Sequence, residues 1–233
     1  MKCRCFCRLK KRSMSTIIRS ELKGVYRTLF SCYGPQGWWP ADSVFEVIVG
    51  AILTQNTAWG NVEKAILNLK GAGIMEPDAM RKVRLGKLAR LIRPSGYYNL
   101  KARKLKSFME FFYREYGGDL KLMKRERIET LRPKLLSVWG LGPETVDSIL
   151  LYALGKPSFV VDAYTKRLFN RLGFLDGSED YGEVKKIFED NLGRNAKLYK
   201  EYHALIVEHC KRFCLKNKPD CRGCDVSHSC MKP

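Results

Sequence analysis

Long hydrophobic runs are missing from this 233-residue chain, as are low-complexity linkers, internal repeats and the alternating apolar–polar pattern of half-buried strands. No stretch approaches the roughly 18 to 20 apolar residues that cross a bilayer, so a membrane partner is not expected. The start, Met1 to Arg12, lacks the apolar stretch of a secretory signal, and the expectation is a soluble, cytoplasmic protein. Acidic residues are scarce: 24 Asp and Glu stand against 43 Lys and Arg, a formal charge of +19. Such an excess concentrates polyanions through a long-range field, which makes nucleic acid the first partner to test. Other basic surfaces, including those of ribosome-adjacent factors, would share this charge.

What is present suits a globular chain. With 45% apolar and 29% charged residues there is enough for one core or two joined lobes. Apolar residues recur at intervals of three and four, as in Leu100, Leu105, Phe108 and Phe112. The pattern predicts helices over 14–33, 43–54, 60–69, 77–83, 85–92, 99–116, 125–138, 143–154, 163–172, 181–191 and 197–216. Turn-forming stretches such as Arg93-Pro94-Ser95-Gly96 and Gly117-Gly118-Asp119 separate them, and the class is all-α. Residues 1–13 carry Cys3, Cys5 and Cys7 among basic residues and read as a flexible arm, with Met14 an alternative start.

Nine cysteines would suggest disulfides in a secreted protein, but they crowd the two ends. Cys214, Cys221, Cys224 and Cys230, separated by six, two and five residues, occupy a loop-rich tail too poor in apolar residues to fold unaided. Four thiolates on so little chain can wrap one inorganic centre, either an iron–sulfur cluster or a structural zinc. Cys210 lies one helical turn before Cys214 and reads as a buried thiol.

Two further segments stand out. In the stretch 135–146, Gly140-Leu141-Gly142-Pro143 reads as a tight turn between helices, where glycine permits close approach and the amides at a helix start can grip phosphate. Taken alone it could equally be a plain helix connection. The apolar stretch Phe159-Val160-Val161 delivers Asp162 to a helix start, where a carboxylate can cap the helix, serve chemistry, or do both.

Together these residues resemble a known family. The cysteine spacing is similar to the [4Fe–4S] loop of endonuclease III and its relatives. The hairpin followed some twenty residues later by Val161-Asp162 resembles the helix-hairpin-helix Gly-Pro-Asp (HhH-GPD) glycosylase superfamily. Within it, Trp38-Trp39-Pro40, the run Gly50-Ala51-Ile52-Leu53-Thr54-Gln55-Asn56-Thr57, Arg93 to Asn99 and Val160-Val161-Asp162 resemble the 3-methyladenine DNA glycosylase III branch. That branch in its best-known form lacks the cluster.

The resemblance implies a two-lobed all-α DNA glycosylase fold with a C-terminal [4Fe–4S] loop at 214–230. The central lobe would run over 37–156 with the hairpin at about 128–154, and the second lobe would combine 14–36 with 157–233. Asp162 would be the catalytic carboxylate, and Trp38, Trp39 and Trp59 would line a base pocket, although any one tryptophan could simply pack in the core. Gln55, Asn56, Gly140, Leu141, Gly142, Glu144 and Thr145 would meet DNA. Gln55 or Asn56 would fill the gap left by the extruded base, unless it is a buried helix-end amide. Lys211, Arg212, Lys216, Lys218 and Arg222 would present charge to DNA around the cluster held by Cys214, Cys221, Cys224 and Cys230. Bifunctional relatives carry a nucleophilic lysine where this chain has Glu144, and a carboxylate cannot form their Schiff base.

The expected activity is therefore hydrolysis of the N-glycosidic bond of an alkylated, 3-methyladenine-type purine in double-stranded DNA, by a monomer without lyase activity. The alternatives are removal of deaminated or mismatched bases (uracil, hypoxanthine, thymine), and a non-catalytic DNA-binding iron–sulfur protein.

Overall fold

The computed structural model describes residues 14–231, with side chains from Ile18 onward; the 1–13 arm and its three cysteines lie outside the described residues. All regular structure among the described residues is helical, and the all-α class holds. The chain forms two compact units, one of residues 36–162 with 194–204, the other of residues up to 35 with 163–193 and 205–233.

The first of these units begins with α2 (Val44–Leu53), whose N-terminus is capped by Ser43 accepting from the Glu46 amide. Nine of its ten residues are buried, all apolar but Gly50 and Glu46, whose carboxylate pairs with Lys70 at 2.8 Å, so α2 forms the central rod of the unit. Around it run α3 (Trp59–Gly71), α4 (Pro77–Lys82), α5 (Leu85–Leu91) and α6 (Tyr98–Tyr116). Then come α7 (Leu120–Arg125), α8 (Ile128–Leu136) and α9 (Pro143–Ser148), the last continuing as a π-helical turn over Ile149–Ala153.

The stretch 125–138, expected as one helix, is broken: Arg127 is extended (φ −67°, ψ 145°), and α7 precedes it under an Asp119 cap. Apolar spacing alone cannot reveal such a break, because Met123 and Leu131 are both buried on either side of it. The helix expected at 197–216 ends at Arg212 as α12 (Ala196–Arg212).

Two buried ionic groups hold this unit together. Lys101, 2% exposed, donates from Nζ to the Leu53 carbonyl (2.7 Å), Thr57 Oγ1 (2.6 Å) and the Ser95 carbonyl (2.6 Å). It thereby satisfies the end of α2 and ties the following turn to the Arg93–Ser95 turn. Burial and the nearby Lys104 charge lower its pKa to about 8, so at neutral pH the group is still an ammonium. Asp147, fully buried, receives Arg132 in bidentate fashion (2.8 and 3.0 Å) and the Ser158 hydroxyl at 2.6 Å. Through Ser158 it anchors the segment that leads to Asp162.

Residues 157–162 and 194–204, expected in the other lobe, belong to this unit. The reason is packing: the Phe159 ring meets Tyr199 and Tyr202 edge-on, at 5.4 and 6.2 Å between centroids.

The other unit contains α1 (Met14–Tyr33), α10 (Ala163–Arg171), α11 (Tyr181–Leu192) and the end of α12. A capping box between Asp180 and Glu183 starts α11. Beyond Arg212 the tail contains one short 3-10 turn, Ser227–Ser229, and is otherwise irregular.

Candidate active site and cysteine cavity

The hairpin is set by local sterics. Gly140 has φ 85°, and a Cβ there would fall 2.5 Å from Lys104 Cγ, so only glycine fits beneath the lysine stem. Gly142 caps α9 without a side chain and Pro143 opens the helix, leaving the amides that follow at a helix start. Leu141 is buried (5% exposed) and its amide donates to the Val138 carbonyl at 3.1 Å, which closes the turn.

Gln55 is engaged inside the protein, where Nε2 donates to Thr145 Oγ1 (2.9 Å) and the Gly140 carbonyl (3.3 Å) while Oε1 receives Lys104 Nζ. Thr145 is itself buried. Asn56, by contrast, is exposed and left-handed at φ 50°. Of the two amides, Gln55 is the one engaged in hydrogen bonds within the protein.

Asp162 directly precedes α10, and its side chain is 13% exposed. His203 of α12 places Nε2 3.4 Å from Asp162 Oδ2. Glu144 on the first turn of α9 extends toward the same carboxylate. Although Glu144 reaches solvent, its carboxyl lies in a recess, and burial followed by the Asp162 charge pushes its pKa up.

Trp38, Trp39 and Trp59 converge beside this acidic pair. Trp39 meets Trp59 edge-on at 5.2 Å and Tyr152 at 5.4 Å, while Trp38 meets Tyr152 at 5.9 Å and His203 at 5.7 Å. The Trp39 indole lies flat on α2 at Gly50, where a Cβ would be 3.2 Å from the ring. Trp59 is oriented by donating from Nε1 to Glu63 (2.6 Å).

Tyr152 and His203 complete the constellation and were not foreseen. Tyr152 sits within the apolar run Leu150-Leu151-Tyr152-Ala153-Leu154, and His203 beside Ala204-Leu205-Ile206, so both read as core. The available signal was their polarity in positions that helical spacing assigns to the interior.

In the other unit, Cys214, Cys221, Cys224 and Cys230 line a single cavity, walled also by Leu168, Leu172, Phe213 and Val226. Arg171 donates to Cys214 Sγ (3.1 Å), and His209 Nε2 lies 3.4 Å from Cys224 Sγ, its Nδ1 paired with the Tyr33 hydroxyl (2.8 Å). The Cys214 pKa is lowered to about 6, first by a hydrogen bond with Cys210 and then by Arg171. Cys210 is buried and directs its thiol toward the Tyr164 carbonyl.

Among the described residues no three Cys, His, Asp or Glu side chains gather closely enough for one ion. Four thiols around a common cavity are a donor set that an iron–sulfur cluster or a structural zinc can use. Lys211, Arg212, Lys216, Lys218 and Arg222 are all exposed in this tail.

A helical protein with a glycine hairpin and a carboxylate beside a cluster of indoles has the form of a base-excision DNA glycosylase. Residues 49–194 match the family model of the HhH-GPD superfamily base excision DNA repair proteins, and the chain belongs to that family.

A Methanocaldococcus jannaschii protein provisionally named a DNA repair glycosylase is 52% identical over 208 residues, covering 89% of this chain and 94% of its own. Endonuclease III of Sulfolobus acidocaldarius is 29% identical over 189 residues, covering 81% and 82%. The crystal structure of H. pylori 3-methyladenine DNA glycosylase bound to 1,N6-ethenoadenine superposes with a TM-score of 0.71 at 32% identity, covering 87% of this chain and 99% of the other. The protein is thus a DNA glycosylase of base excision repair.

Proposed function

We propose that the chain is a monofunctional glycosylase that hydrolyses the N-glycosidic bond of an alkylated, 3-methyladenine-type purine extruded from duplex DNA. The observation that carries this reading is the union, in one recess, of Asp162, Glu144 at the family's lysine position, and the indoles of Trp38, Trp39 and Trp59. N3- or N7-alkylation makes a purine cationic, and indole faces attract a cation by about 0.5 to 2 kcal/mol. The similarity to a 3-methyladenine glycosylase with an etheno-adduct in its structure supports the same substrate class.

In the reaction the bond from C1′ to the base nitrogen breaks, and its electron pair neutralises the departing cationic base. Asp162 stabilises the positive sugar and orients the water that adds to C1′ and gives up its proton, leaving an abasic site. Glu144 has no amine for a Schiff base. Lys101 is sequestered by three acceptors and does not replace the missing nucleophile.

On the DNA side, backbone amides of Gly142, Glu144 and Thr145 would grip phosphate, with Gly140 supplying the turn and Leu141, whose amide donates to the Val138 carbonyl at 3.1 Å, holding it. Asn56, rather than the engaged Gln55, would enter the vacated base stack. Cys214, Cys221, Cys224 and Cys230 would hold a [4Fe–4S] cluster that cross-links the tail, with the exposed lysines and arginines around it facing phosphates.

Base release from duplexes bearing methylated, etheno, deaminated or mismatched bases tests the reading, with borohydride trapping run in parallel. Release of methylated purines without a trapped adduct is expected. Preference for uracil or hypoxanthine, or a covalent adduct, would contradict it.

A further inference from the structure

His203 and Tyr152 line the recess, yet their bonding points to more than packing. His203 is only 5% exposed, and its ring rests against Trp38 at 5.7 Å with a 38° tilt. Its Nδ1 lies 2.7 Å from the Tyr152 hydroxyl, while Nε2 lies 3.4 Å from Asp162 Oδ2 and is buried without a hydrogen-bond partner. A buried imidazole nitrogen left unsatisfied is costly unless a neighbouring group closes on it.

The Tyr152 hydroxyl has one proton and two candidate acceptors, His203 Nδ1 at 2.7 Å and the Lys200 carbonyl at 3.3 Å. Burial, and then the Asp162 and Glu201 charges, keep that hydroxyl protonated. The shorter contact favours donation to Nδ1, which assigns the remaining proton of a neutral imidazole to Nε2, facing Asp162.

We propose that Tyr152 and His203 are positioning residues for the reaction: they fix the Asp162 carboxylate through a neutral Nε2–H donor. The inference rests on Asp162 being the reacting carboxylate. A neutral donor orients that group without cancelling the negative charge that stabilises the sugar cation. Besides Asp162 and Tyr152, the groups whose charge reaches this pair are Glu144 from α9, Glu201, and the Lys200 ammonium, which donates to the Tyr152 carbonyl at 3.2 Å.

The test is single-turnover base release from methylated duplex DNA, with DNA affinity measured separately, across about pH 5 to 9. His203→Phe should lose roughly tenfold or more in rate at unchanged affinity, and Tyr152→Phe a smaller factor in the same direction. His203→Gln, whose amide can donate, should restore most of the rate. An unaltered rate in His203→Phe, or equal losses in the Phe and Gln variants, would overturn the proposal. Should His203→Phe fail to fold, Tyr152→Phe decides: an unaltered rate there would overturn it. Asp162→Asn serves as the reference: if it keeps the full rate, the assignment of the carboxylate fails, separately from the role of His203.

Discussion

The two units solve opposite problems. In residues 36–162 with 194–204, a buried, largely apolar helix and buried ionic groups, Lys101 and the Arg132–Asp147 pair among them, lock the backbone around the indole cluster. The chemistry-bearing side chains there are held by structure that exists without any ligand. In the other unit, the segment after Arg212 has little apolar material, and its fixed points are donors aimed at sulfur and carbonyls: Arg171 on Cys214 and on the carbonyls of Leu215 and Lys216, and His209 beside Cys224. One site is organised by packing; the other by polar contacts to four thiols around one cavity. The contrast teaches that damage to the tail and damage to the recess should have separable consequences.

The largest effect expected from breaking this contrast is in the tail. Cys224→Ser, or removal of the cluster, should abolish absorption near 400 nm and expose residues 213–231 to protease, while the unit around α2 keeps its hydrogen-exchange protection. Simultaneous loss of protection in both units would erase the distinction.

Next comes Lys101→Met, which removes the donor shared by the Leu53 carbonyl, Thr57 Oγ1 and the Ser95 carbonyl and should cost about 3 kcal/mol in denaturant unfolding. A cost under about 1 kcal/mol would show that the buried ammonium is not a fixed point of the unit.

Gly50→Ala should cost about 1 to 2 kcal/mol, because its methyl meets the Trp39 ring at 3.2 Å, and it should weaken selectivity for alkylated bases more than affinity for undamaged duplex. Equal loss on both DNAs would detach Trp39 from base recognition. Smallest is Asn56→Ala. Its side chain is exposed, so thermal stability should move by less than about 0.5 kcal/mol while lesion binding weakens; an unaffected lesion affinity would remove Asn56 from the DNA interface.

Much of the helical fold could be read from apolar spacing, and α2, α6 and α9 begin within a residue of their expected starts. The break at Glu126 and Arg127 could not, since both residues are extended yet apolar positions continue on either side of them. Asp162 and the tryptophans were visible through their resemblance to a family. Their partners were not: Tyr152 and His203 are embedded in apolar helical runs, where sequence carries no sign that two polar atoms meet from positions 51 residues apart. Gln55 and Asn56 are adjacent and chemically alike, and only the three-dimensional contacts of Gln55 with Lys104, Gly140 and Thr145 separate their roles.

The account turns on whether the carboxylate at position 162 breaks the bond between sugar and base. The direct measurement is single-turnover release of 3-methyladenine from methylated duplex DNA by the parent protein and by Asp162→Asn at matched DNA occupancy. A rate at least about a hundredfold lower in the variant, with binding retained, is the predicted result. Equal rates would contradict it.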